Sequence, residues 1–241
     1  MTPTLSRLYG VVENTWPAAR RVSAGPWTLR EGAGGGKRVS CASADGEWSL
    51  DDLQAAEQAQ RLLGQQSLFM IRAGEDALDR ALADEGYRII DPVNFWLLPI
   101  GELTDRKLPM VTAFAIWEPL AVMREIWEEA GIGAARQAVM DRVTGPKAGV
   151  FGRASDSPAG TGFCAVHDGI AMVHALEIRA AHRGKGLGKW MMRCAAFWAA
   201  ENGAEWMSVL CLQNNHAANG LYASLGMTRV GQYHYRMKPE A

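Results

Sequence analysis

The chain lacks a charge surplus of either sign: 25 Lys and Arg stand against 26 Asp and Glu, a formal net charge of −1. A nucleic-acid partner needs a basic face to release counterions, and no local basic patch is visible, so none is expected. Cysteine is sparse. The four residues, Cys41, Cys164, Cys194 and Cys211, lie far apart, without a Cys-x-x-Cys pair or a histidine cluster at zinc spacing, so no metal is expected. They read as buried thiols in a reducing compartment. No uninterrupted apolar run reaches about 18 residues, and residues 1–10 lack a basic segment followed by an apolar one. The expectation is a soluble, cytoplasmic protein without a membrane partner.

What is there is a length of 241 residues, enough for one large domain or two small ones. Apolar periodicity predicts a helix over 5–21, interrupted or kinked at Pro17, then strands over 27–30 and 38–42 joined by the glycine run 32–36. Ser49 reads as the N-cap of a helix to Leu63, with Asp51 and Asp52 in its first turn. A strand over 67–72, a helix over 75–85 ended by Gly86, and strands over 87–90 and 94–98 follow. Residues 99–109, with Gly101, charges and two prolines, read as a linker between a smaller N-terminal domain (1–105) and a second domain (110–241). A fragment starting near Pro109 is then expected to keep ligand binding, provided it folds.

The second part reads as a strand over 111–116, helices over 118–130 and 134–143, and strands over 148–153, 162–167 and 170–178, the last two joined by the hairpin pair Asp168-Gly169. A helix over 188–201, a strand over 206–212, a helix over 216–225 and a strand over 228–237 complete it. Such a mixed order predicts an α/β (α+β) fold, a mixed sheet covered by helices.

The most informative run is Arg183-Gly184-Lys185-Gly186-Leu187-Gly188, set between an apolar strand and a helix. Glycines let the backbone approach a ligand, and the first N–H groups of a helix favour an anion. Arg183, Lys185 and Lys189 add positive charge, so the chemistry suits a pyrophosphate. A P-loop needs a hydroxyl after its lysine, but Trp190 follows Lys189. A dinucleotide fingerprint needs Gly-x-Gly-x-x-Gly at an early strand, whereas here the spacing is Gly-x-Gly-x-Gly late in the chain.

Arg183, Gly186 and Gly188 instead fit Arg-x-x-Gly-x-Gly, and residues 215–227 fit Asn-x-x-Ala-x-x-Leu-Tyr-x-x-Leu-Gly-Phe with Met227 in the last place. On these two motifs, residues 110–238 resemble the GCN5-related N-acetyltransferase (GNAT) family. Ala180, where the family often has proline, is a second departure. The resemblance implies that acetyl-coenzyme A (acetyl-CoA) donates an acetyl group to a primary amine of a small molecule or peptide, and it leaves room for a homodimer. The same fold could serve a non-catalytic acyl-CoA sensor.

By that resemblance, the backbone of Leu176, Glu177 and Ile178 would pair with the pantetheine arm, and Arg183, Gly184, Lys185, Gly186, Leu187 and Gly188 would hold the pyrophosphate. Lys189 would reach a phosphate or else be an ordinary solvated charge, and Asn215 would contact the cofactor arm, cap its helix, or both. Tyr222 takes the position of the proton donor to the departing thiolate, against a buried structural tyrosine. For the base, His174 and Glu177 are the candidates; strand alternation puts them on opposite faces, so only one would face the acceptor. His216 and Asp156 are outside candidates. Finally, the order strand, helix, Gly86-Tyr87, strand in the first half echoes that around Gly226-Met227, as a degenerate second copy or an unrelated extension would each allow.

Overall fold

A computed structural model describes residues 1–239. Helix α1 (Leu5–Thr15) ends earlier than expected, because Trp16 precedes Pro17 and the proline ring drives its predecessor out of helical geometry. The residues beyond form β1 (Arg20–Ala24), which turns through Gly25 into β2 (Trp27–Glu31). The strand expected over 38–42 is absent. Gly34 and Gly36 both have positive φ and lead into a single 3-10 turn, Lys37–Val39, and β3 (Ser43–Ala44) pairs with β2 in its place. Helix α2 (Leu50–Leu62) opens on a capping box in which Ser49 Oγ accepts from Asp52 N and Asp52 accepts from Ser49 N.

Strand β4 (Leu68–Ile71) and helix α3 (Asp76–Asp84) lead to β5 (Arg88–Pro99), one strand where two were expected, since Asp91 at φ +46 before Pro92 bends the chain without ending the pairing. Then come β6 (Ala113–Ile116), α4 (Ala121–Glu129), α5 (Ala134–Asp141) and β7 (Lys147–Ala154). β8 (Ser157–His167) starts five residues earlier than expected, because Ser155 and Asp156 both take positive φ and close a tight hairpin that no glycine announces. β9 (Ile170–Ile178), α6 (Leu187–Glu201), β10 (Trp206–Leu212), α7 (His216–Ser224) and β11 (Thr228–Met237) follow, close to their expected places. Among the described residues no helix is long and apolar enough to cross a membrane.

The chain forms two compact units, neither continuous in sequence. The first comprises Met1–Pro17, Phe95–Cys211 and Asn215–Val230; the second comprises Ala18–Asn94, Leu212–Asn214 and the chain from Gly231 on. In the first, the strand order is the end of β5, β10, β9, β8, β7, β6, a mixed sheet in which β9 is parallel to β10 and antiparallel to β8. Its two faces are read from β7. A Cβ at Gly149 would meet Met123 of α4 and one at Gly152 would meet Met191 of α6, and residues three apart on a strand point oppositely. Helices therefore cover both faces. In the second unit β1, β2 and β3 form a small sheet, β11 pairs with β4, and the core gathers Trp27, Leu53, Phe69, Leu78, Leu82 and Tyr87.

Residues 99–109 are no linker. Ile100 and Leu103 belong to the first unit's core, and Arg193 of α6 donates to the Leu103 carbonyl at 3.0 Å and pairs with Asp105. A fragment beginning near Pro109 would also lose Leu8, Val11, Phe95 and Leu97, all buried. Removing several large core side chains at about 2–5 kcal/mol each exceeds the stability of an ordinary domain. Such a fragment is expected to show no cooperative thermal transition by circular dichroism.

Candidate active site

The site begins with a strand that changes register. β9 follows β10 only from Ile170 opposite Trp206 to Val173 opposite Val209, and its pairing with β8 slips between Thr161 and Phe163. Ala175 and Leu176 together face Gly162, with Ala175 at φ +50: this is a β-bulge. Beyond it β9 keeps its ladder with β8, Glu177 opposite Thr161 and Ile178 opposite Gly160, while its other edge is no longer paired with β10. An alanine in left-handed geometry costs about 1–2 kcal/mol. Trp127 of α4 supplies a compensating bond, its Nε1 donating to the Ala175 carbonyl at 2.8 Å.

The bulge overturns the expectation that His174 and Glu177 point to opposite faces. His174 pairs with Phe163 and Glu177 with Thr161, two residues apart on β8, so both project from the α4 face; the extra residue in β9 restores the parity that simple alternation denies. Their surroundings differ. His174 is buried, 5.0 Å from the Trp16 ring and 2.9 Å from Thr15 Oγ1. Because the Thr15 hydroxyl donates to the Val11 carbonyl at 2.7 Å, it accepts from His174 Nε2, which ties α1 to the sheet. Glu177 is half-buried, and desolvation raises its pKa above the usual carboxylate value against the opposing pull of Arg183 and Arg136.

Next to the open edge lies the glycine loop. Gly186 is the N-cap of α6 at φ +85 and Gly184 lies at φ +71, both with free space where a Cβ would sit, so glycine is needed there for backbone geometry. At Gly188 the reason is contact: a Cβ would lie 3.0 Å from Leu221 and 3.2 Å from Ile178, where α6, α7 and β9 meet. Arg183 Nε donates to the Ile178 carbonyl at 2.8 Å and Lys185 Nζ to the Ala181 carbonyl at 2.9 Å, stiffening the loop with its own charges. Lys189 is exposed in the first turn of α6.

Helix α7 closes the other side. Asn215 caps it, Oδ1 accepting from Ala218 N at 3.1 Å. Tyr222 is 6% exposed, and burial, with Cys211 and Glu177 nearby, pushes its phenol well above the ordinary tyrosine range. Trp96 of β5 packs its ring 6.4 Å from Tyr222 and donates Nε1 to Asn219 Oδ1 at 3.1 Å. One groove of about 480 Å³ is lined by every residue expected to touch the cofactor except Lys185. His174, His216 and Asp156 do not line it; Asp156 sits in the β7–β8 turn, 3.8 Å from Arg153. Sequence reading missed the bulge and the two tryptophans. Alanine gives no hint of positive φ, and neither Trp96 nor Trp127 lies in a recognisable motif.

The model of the acetyltransferase (GNAT) family matches residues 115–227, the stretch holding the bulge, the loop and Tyr222. The chain carries a GNAT-family acetyltransferase domain. It is an acyltransferase, and two side chains packed on this domain, Trp96 and Thr15, lie outside the matched stretch. Over 235 residues the chain is 29% identical to the uncharacterized N-acetyltransferase YobR of Bacillus subtilis (strain 168), covering 93% of this chain and 94% of YobR. A GCN5-related N-acetyltransferase from Kribbella flavida shares the fold, with a TM-score of 0.69 and 18% identity over 100% of this chain and 98% of that one. So does a tandem GNAT protein from the clavulanic acid biosynthesis pathway, with a TM-score of 0.58 and 13% identity over 83% and 76% of the two chains.

Proposed function

We propose that the GNAT domain transfers the acetyl group of acetyl-CoA to a primary amine of a small molecule or peptide in the cytoplasm. The observation that carries this reading is the groove itself, where the unpaired edge of β9, the N-terminus of α6 and Tyr222 converge. Its chemistry fits the donor. A backbone edge suits the amides of a pantetheine arm, and left-handed glycines with lysine and arginine at a helix start suit a pyrophosphate. Bound there, acetyl-CoA supplies an activated thioester. Glu177 takes a proton from the attacking amine, whose nitrogen bonds to the acetyl carbon, and Tyr222 gives a proton to the sulfur as the carbon–sulfur bond breaks. Burial keeps the phenol protonated at neutral pH, as a donor needs, and leaves the carboxylate more basic than usual. His174, by contrast, acts as an anchor for α1.

Gly186→Glu tests the anion site. A residue with a side chain is strained at φ +85, and a carboxylate enters space meant for phosphate. Calorimetry is expected to find one acetyl-CoA per native chain and none for the folded variant; native affinity in the variant would place the cofactor elsewhere.

We also propose that the first half derives from a degenerate copy of the same fold. In support, the turn after α3 repeats the turn after α7: Gly86 (φ +82) and Gly226 (φ +83) follow the helices, with Tyr87 N bonded to Leu82 O at 2.9 Å and Met227 N to Tyr222 O at 3.2 Å.

A further inference from the structure

The bulge is held from the face opposite α6. Trp127 is fully buried in α4, and its indole N–H reaches the Ala175 carbonyl. Arg179, just past the end of β9, forms a two-pronged ion pair with Glu129 of the same helix at 2.9 and 2.6 Å, so α4 grips the chain at the bulge and again beyond it. In a planar trans peptide the C=O and N–H point in opposite directions. A bond that turns the Ala175 carbonyl toward α4 therefore turns the Leu176 N–H away from α4, toward the groove that Leu176 lines. Alanine itself does not favour this geometry, and without the bond the peptide is free to rotate back.

We infer that Trp127 is a positioning residue, whose indole N–H fixes the Ala175–Leu176 peptide so that the Leu176 N–H faces the acyl carbonyl of the donor. This rests on the acetyl transfer proposed above. A donor aimed at a carbonyl oxygen gains strength as charge builds there, which makes its orientation matter to turnover more than to binding.

Trp127→Phe keeps an aromatic ring and removes the donor. Turnover is expected to fall by roughly tenfold to a hundredfold while the affinity for acetyl-CoA changes by less than about twofold. In native protein the Leu176 amide proton resonance should shift when acetyl-CoA replaces CoA, and in the variant this shift should be lost. Adding Ala175→Gly should restore most of the turnover, because glycine enters the left-handed region freely; a tryptophan that only fills space would not be rescued in this way. If Trp127→Phe does not fold, 3-benzothienylalanine at position 127, equal in shape with sulfur in place of N–H, carries the same expectations. A folded variant with native turnover and a native Leu176 response overturns the inference. Absence of turnover in the native protein would count against the acetyl transfer instead, and the Leu176 response would still decide the role of Trp127.

Discussion

Tyr222→Phe is expected to lower turnover by on the order of a hundredfold or more while leaving acetyl-CoA affinity almost unchanged. The substitution keeps the ring, its packing against Trp96 and its place in the groove, and removes only the proton that the departing sulfur needs. The hydroxyl makes no hydrogen bond to another described residue, so its loss should barely change the melting temperature. A tyrosine held only for its packing would keep native turnover, because phenylalanine preserves that packing against Trp96. Turnover and melting temperature measured on one preparation separate the two, and near-native turnover would remove Tyr222 from the mechanism.

Glu177→Gln is expected to lower turnover by about a hundredfold to ten-thousandfold, with no loss of thermal stability at neutral pH. The sign follows from desolvation. Burial raises the folded-state pKa above the ordinary 4.5, so below that value the folded and unfolded states are both protonated and no cost arises. As pH rises through the folded pKa the carboxylate ionises in a poorly solvated place, and the fold bears that cost at every higher pH. Glutamine removes it. The native protein should show kcat/KM rising with pH along an acid limb placed above the ordinary carboxylate value, and the variant should lack this limb. A variant with a native pH profile would assign the base elsewhere.

Much of this site is legible in the sequence because its requirements are backbone requirements that only certain residues meet. The left-handed turns at Gly184 and Gly186 need glycine, and the Asn215 cap needs a short acceptor, so the motif and the geometry coincide. The parity of β9 was hidden for the opposite reason. Ala175 adopts positive φ through a bond from Trp127, 48 residues earlier in the chain, and no local rule foretells a conformation imposed by tertiary contact. The division at 99–109 misled in the same way: Gly101 and the prolines describe a local turn, while burial of Ile100 and Leu103 decides that the segment is core. Likewise Ser155 and Asp156 form a hairpin turn whose positive φ angles sequence reading assigns first to glycine and asparagine.

Thiol release measures directly whether the groove serves transfer to an amine. Native protein is incubated with acetyl-CoA and a panel of primary amines, small molecules and peptides, while free CoA is followed by a thiol reagent and the amine by mass. Amine-dependent CoA release is expected, matched by an equal amount of N-acetylated product and lost in Glu177→Gln and Tyr222→Phe. Tight, stoichiometric binding of acetyl-CoA with no release above spontaneous hydrolysis for any amine would contradict it, and would make the domain a sensor of acyl-CoA.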